Sequence, residues 1–108
     1  MQGQDQSHAD NIYSAYADDP DMAEMLPFFV DGLVEMRAGI KDFAVAKDFE
    51  GVRREAHKIR GSAGGYGFQG LSELAGRLEE SCKNSPRDEA MILRTVDEIL
   101  DYLVKVRA

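Results

Sequence analysis

Apolar residues recur along this chain at steps of three and four, and no segment sustains the two-residue alternation of a half-buried strand. The longest stripe joins Met22, Met25, Leu26, Phe29, Val30, Leu33, Met36, Ile40 and Phe43. It predicts an amphipathic helix that starts near Asp19–Met22 and ends near Lys47. Asp19-Pro20 is a start signal, because the amide proton that proline lacks has no helical partner in a first turn. Pro27 falls inside the stripe and removes a backbone bond, so either the helix bends there or a short turn precedes a fresh start. After a break at Ala46–Asp48, with Asp48 as candidate N-cap, a second stripe runs Val52, Ala56, Ile59, Ala63, Tyr66 and is ended by Gly64, Gly65 and Gly67. A third helix is expected over about Gln69–Lys83, with Leu71, Leu74, Ala75, Leu78 and Cys82 inward. Asn84-Ser85-Pro86 reads as a turn. A fourth helix, about Pro86–Val106, would bury Ile92, Val96, Ile99, Leu103 and Val106.

Upstream of these, a short helix is expected from about His8 to Ala17, capped by Ser7, with Ile12, Tyr13 and Tyr16 on one side. Residues 1–7 are polar and read as a disordered tail, leaving 8–108 as one domain. Short connections between long amphipathic helices make neighbours antiparallel. The expected fold is all-α: an antiparallel up-and-down four-helix bundle with a short additional N-terminal helix.

Composition narrows the function. At 44% hydrophobic and 31% charged, the chain reads as an ordinary globular domain. No apolar run approaches the roughly 20 residues of a membrane span, and the first ten residues lack the basic head and apolar middle of a secretory signal. One cysteine, Cys82, cannot form an internal disulfide and falls on an apolar stripe. The net charge of −7 is unevenly spread: residues 1–36 hold eight acids and no Lys or Arg, while the remainder carries twelve acids and thirteen bases. Such a chain is a poor general binder of nucleic acid. No Cys/His cluster has metal-ligand spacing, Asp18, Asp19 and Asp21 lack the rest of a calcium loop, and GSAGGYG lacks the Lys-Ser/Thr of a P-loop. His8 sits in the polar tail.

Against this acidic background Arg53, Arg54, Lys58 and Arg60 crowd around His57 within eight positions. With Val52 at zero and about 100° per residue, the core stripe stays within about 40° of zero, whereas His57 lies near 140°. Arg53 and Arg60 fall near 100° and 80°, Gly61 near 180° and Gly64 near 120°, with Lys58 near 240° and able only to reach round. The imidazole should therefore face solvent between bases and residues without side chains. Gly61 stands out, because the stripe continues past it and a helical glycine costs about 1 kcal/mol relative to alanine. An imidazole with a pKa near 6.5 is largely neutral and nucleophilic at pH 7. A phosphoryl group on it would want charge-assisted donors, for which Arg60 at i+3 is best placed.

The stretch AHKIRGSAGGYGFQGLSELAGRLEE resembles the histidine-containing phosphotransfer (HPt) domain of bacterial two-component phosphorelays. The family pattern, His-x-x-Lys-Gly-x-Ser/Ala-x-x-x-Gly followed by a leucine-bearing helix, reads here as His57, Arg60, Gly61, Ser62 and Gly67, then Leu71, Leu74, Leu78 and Glu79. The resemblance is sharp over about residues 48–83 and covers only helix number and length elsewhere. It implies a cytoplasmic phosphorelay intermediate, monomeric and without autonomous kinase activity. Nε2 of His57 would take a phosphoryl group from a receiver-domain aspartyl phosphate and pass it to another receiver aspartate. Arg60, Lys58 and Arg53 would stabilise the phosphoryl group, and Gly61, Gly64 and Arg54 would form the docking face. Partners would be response-regulator receiver domains, with a hybrid sensor kinase as a further candidate. No cofactor or metal is expected on this chain, Mg²⁺ belonging to the receiver. Two departures are visible. The usual lysine is Arg60, and the glutamine that bonds Nδ1 in several members is Glu79, which either holds Nδ1–H or is a surface charge. Two other readings of the same fold stand beside this one: a phosphate-independent receiver-binding adaptor, and the substrate domain of a chemotaxis-type histidine kinase.

Overall fold

The computed structural model of the chain describes residues 11–108. Each predicted stripe becomes a helix: α1 (Pro20–Val45), α2 (Phe49–Ala63), α3 (Gln69–Lys83) and α4 (Glu89–Lys105). Side-chain caps set three of the starts. Asp19 accepts from the Asp21 amide, Asp48 from Gly51 and Asp88 from Met91, each meeting an amide that has no helical partner. The Asp88 cap explains why α4 begins three residues later than the turn at Pro86 suggested. α1 ends at Val45, two residues early, and Lys47 turns the chain in the left-handed region at φ 56°. Pro27 neither breaks α1 nor forces a fresh start. Its ring is exposed, and α1 runs on past it without interruption.

The helices close into a ring of contacts. Each packs against the next in sequence, α1 also packs against α4, and the α2–α3 pair is the most extensive. Along α1 and α2 the contacts run in opposite order: a side chain at Gly51 would meet Phe43, one at Gly39 would meet Glu55, and just beyond α2 Tyr66 stacks on Phe29 with ring centroids 4.4 Å apart. The core holds most of the positions the stripes foretold, including Leu33, Ile40, Val52, Ala56, Ile59, Leu71, Leu78, Cys82, Ile92 and Ile99. Met25, expected on the inward stripe of α1, is instead exposed, and Phe49 and Phe68, which lie on no predicted stripe, are buried at the starts of α2 and α3. Fully burying one such leucine or isoleucine contributes about 1.5–3 kcal/mol before entropy.

Residues 11–19 correct the sequence reading. The short helix expected from His8 to Ala17 is not formed over 11–17; its first residues, with Ser7, His8 and the tail 1–7, lie outside the described residues. Ile12 instead pairs with Val106 in an isolated parallel bridge, its amide donating to Lys105 and its carbonyl accepting from Arg107. The Ala15 amide donates to the Gly67 carbonyl at 2.9 Å. Ser14 is buried; its hydroxyl donates to the Tyr66 carbonyl at 2.6 Å and accepts from the Tyr16 amide. Serine that satisfies the backbone this way competes with helix, and the segment becomes a strap joining the end of α4 to the α2–α3 loop.

That loop turns at Gly67, whose φ of +86° favours glycine. A Cβ there would also run into Ser14 and Tyr16 of the strap. Gly64, by contrast, keeps right-handed helical geometry. Gly61 meets nothing within 4 Å of where a Cβ would stand. Opposite outcomes follow for one substitution. Gly67→Ala should lower stability by about 1–3 kcal/mol, whereas Gly61→Ala should raise it by up to about 1 kcal/mol. Urea midpoints at neutral pH measure both.

Candidate functional site

Val52, Ala56, Ile59 and Ala63 are fully buried and fix the rotation of α2. His57 is thereby turned outward, with 66% of its side chain exposed. It is not a loose surface residue. Its Nδ1 lies 2.8 Å from Oε2 of Glu79 on α3. The other carboxylate oxygen, Oε1, accepts from the Arg60 guanidinium at 2.7 Å. Lys83, one turn on from Glu79, brings Nζ to 3.7 Å of Oε2. Glu79 itself is 2% exposed, at the edge of the α3 core stripe beside Leu78 and Cys82. Of the two readings the sequence allowed for Glu79, the surface charge is excluded.

Burial alone would push the Glu79 carboxyl up. The bonds from Arg60 and His57, with the charges of His57 and Lys83, outweigh burial and hold its pKa below the ordinary 4.5. Glu79 is therefore ionised at neutral pH and can only accept. The hydrogen between it and His57 must sit on Nδ1, so the neutral imidazole is the Nδ1–H tautomer. Nε2 then carries the lone pair, and among the described residues no protein group bonds it.

The remaining site residues distribute around this pair. Arg53, Arg54, Glu55 and Lys58 line an open depression with His57. Arg53 pairs with Glu50 at 3.0 Å and Lys58 with Glu55 at 2.8 Å. The Arg54 guanidinium stands 5.9 Å from the centre of the Phe43 ring. Arg60 reaches across to α3, its stem over Gly76, and its own carbonyl accepts from Ser72. Gly61 is open to solvent, whereas a side chain at Gly64 would touch Gln69 and Ser72 of α3. Sequence reasoning missed Lys83, although its i+4 spacing from Glu79 was the available signal. It also missed that Arg60 is engaged by the carboxylate. Cys82 is buried as expected, and burial pushes its thiol up, which keeps it neutral. No helix among the described residues is long and apolar enough to cross a membrane.

An exposed imidazole on a helical bundle, tethered by one nitrogen and open at the other, is the arrangement of a histidine phosphotransfer module. The family model described as Hpt domain matches residues 24–107, and the chain belongs to that family. Neither a curated protein nor a solved structure gives a match. Domains of this family carry phosphoryl groups on histidine in two-component phosphorelays, as intermediates rather than autonomous enzymes.

Because the folded Glu79 pKa is depressed, its contribution to stability is present above the ordinary glutamate pKa and is lost as pH falls through the folded value. Wild type should lose stability on acidification below pH about 4.5 more steeply than Glu79→Gln. Urea midpoints measured from pH 6 down to about 3 check this; parallel curves for the two proteins would contradict it.

Proposed function

We propose that His57 is the phosphoryl acceptor of a phosphorelay intermediate, presented on an antiparallel up-and-down bundle. The receiver-domain partner supplies the aspartyl phosphate and the Mg²⁺. The single observation that carries this reading is the 2.8 Å bond from Nδ1 to a buried, ionised carboxylate, with Nε2 left facing solvent. In the step, the Nε2 lone pair attacks phosphorus, the P–O bond to the aspartyl carboxyl breaks, and the carboxylate leaves with the electron pair. The ring gains positive charge as the N–P bond forms, and Glu79 faces that charge through Nδ1–H. The reverse step on a second receiver returns the phosphoryl group to an aspartate. Phosphoryl transfer of this kind rests on positioning and charge stabilisation rather than on covalent work by the protein. Lys58 and Arg53, which line the depression beside His57, are the cations assigned to the phosphoryl oxygens. Gly61, with Arg54 beside the same depression, belongs to the face a receiver approaches.

Incubation with a phosphorylated receiver should label the wild-type protein in an acid-labile, base-stable form. His57→Gln should keep its helicity and take no label; label retained in that variant would defeat the assignment. Labelling only by ATP with a kinase catalytic domain would place the protein as a kinase substrate instead, and receiver binding without uptake would make it an adaptor. Lys58→Ala should slow uptake by about fivefold, the effect of losing an exposed charged contact near 1 kcal/mol. Gly61→Leu should retain helicity and bind the receiver at least about tenfold more weakly, the cost of filling a close contact.

A further inference from the structure

Among the described residues, Arg53, Arg54, Glu55, His57 and Lys58 line the depression in front of the imidazole. Phosphoryl chemistry accounts for the imidazole and the cations. It does not account for Glu55, the one acid among the five, because a carboxylate repels a phosphoryl group. Glu55 is also the better shielded of the two acids that pair with these cations. Its side chain is 14% exposed, against 54% for Glu50, which is divided between Arg53 and Arg87. The neighbouring helix supplies its seat: a Cβ at Gly39 of α1 would stand 3.5 Å from Cδ and Oε1 of Glu55. A glycine is unfavourable inside a helix, and here it leaves room for that carboxyl. The other oxygen, Oε2, takes Nζ of Lys58 at 2.8 Å. Around α2, Lys58 stands between His57 and Glu55, about 100° from the first and about 60° from the second. The carboxylate therefore draws the ammonium toward α1 and away from Nε2.

We propose that Glu55 is a positioning residue that acts through Lys58 and limits how firmly the phosphoryl group is held on His57. As the Nε2–P bond forms, the aspartyl O–P bond breaks and its electron pair leaves on the aspartyl carboxylate. The phosphoryl oxygens then compete with Oε2 of Glu55 for the hydrogens on Nζ. No proton is transferred. Lys58 turns to the phosphoryl group only by loosening from Glu55, and that loss is subtracted from the stability of the phosphohistidine. An intermediate needs such a limit, because a phosphoryl group clamped by unopposed cations would not pass to a second receiver. Gly39 belongs to the same device, although it lies on another helix and touches no phosphoryl oxygen.

The inference rests on His57 being the acceptor, and one measurement separates the two. Phosphorylated receiver and unphosphorylated protein are brought to equilibrium with Mg²⁺ present, starting from either side, and the label on each is counted. This constant compares the two phosphoryl bonds in their surroundings, so a change in receiver docking alone leaves it fixed. Glu55→Gln should shift it toward His57 by about threefold to fivefold, the range of one partly exposed charge pair. Gly39→Leu, which fills the seat from α1, should shift it the same way. In a Lys58→Gln background, Glu55→Gln should shift it by less than about 1.5-fold. Circular dichroism verifies that each variant is folded. An unchanged constant in Glu55→Gln, or in folded Gly39→Leu, would overturn the proposal. So would an equal shift with and without Lys58, since Glu55 would then act by its own charge. A wild type that takes no label would remove His57 as acceptor and this inference with it, whereas labelled wild type with the same constant as Glu55→Gln would remove the inference alone.

Discussion

The site depends on one buried carboxylate. Glu79 is 2% exposed, and an ionised group in that position is costly unless every oxygen is satisfied. Here Arg60 and His57 each take one oxygen and Lys83 stands nearby. Among the described residues no buried side-chain nitrogen or oxygen lacks a partner. Two of the three groups around the carboxylate come from α2 and the carboxylate from α3, so the ion cluster sits on the most extensive helix pair of the bundle. A pair of this kind is weak evidence for net stability, since a well-packed apolar pair can do as well. Its distinct effect is directional: it fixes where the imidazole stands and which nitrogen carries the hydrogen.

Directionality is what an exposed imidazole otherwise lacks. A side chain that is 66% exposed would ordinarily sample several rotamers, and each would present Nε2 differently. The bond to Glu79 removes that freedom, and a preorganised group bears no further ordering cost when it reacts. The frame that makes this possible is plain core packing. Four fully buried residues of α2 set its rotation, and Leu71, Ala75 and Leu78 set that of α3. Exposure of the ring and burial of its anchor are thus consequences of two apolar stripes meeting at a defined angle.

Those stripes were legible in the sequence because helical periodicity is a local property. Four helices, the outward turn of His57 and the inward turn of Cys82 follow from spacing, and the cap at Asp48 and the start at Asp19-Pro20 from residue type. Glu79 was only half legible. Its offset from Leu78 puts it at the rim of the stripe, where burial depends on whether a neighbouring helix supplies cations, and periodicity within one helix carries no such information. The strap of residues 11–19 was misread for a related reason. Ile12, Tyr13 and Tyr16 have a helical spacing, but the partners that decide their structure are Lys105, Arg107 and Gly67, far away in sequence. Pro27 shows the converse. A rule against proline in helices yields where the ring lies on the exposed side and the rest of a long apolar stripe holds α1 together.

The glycines carry the same lesson into function. In the sequence, Gly51, Gly61 and Gly67 are equivalent small residues near one histidine. In the fold, Gly51 makes room for Phe43, and Gly67 combines a left-handed turn with the approach of Ser14. Both are required by the bundle itself. Gly61 is required by nothing within it: its geometry is helical and no atom lies near the position of a Cβ. A helical glycine of this kind costs about 1 kcal/mol, and no contact inside the domain offsets it. The space it leaves lies one turn from His57, on an open face of α2. Of these three glycines, the one the bundle explains least is the one beside the exposed imidazole.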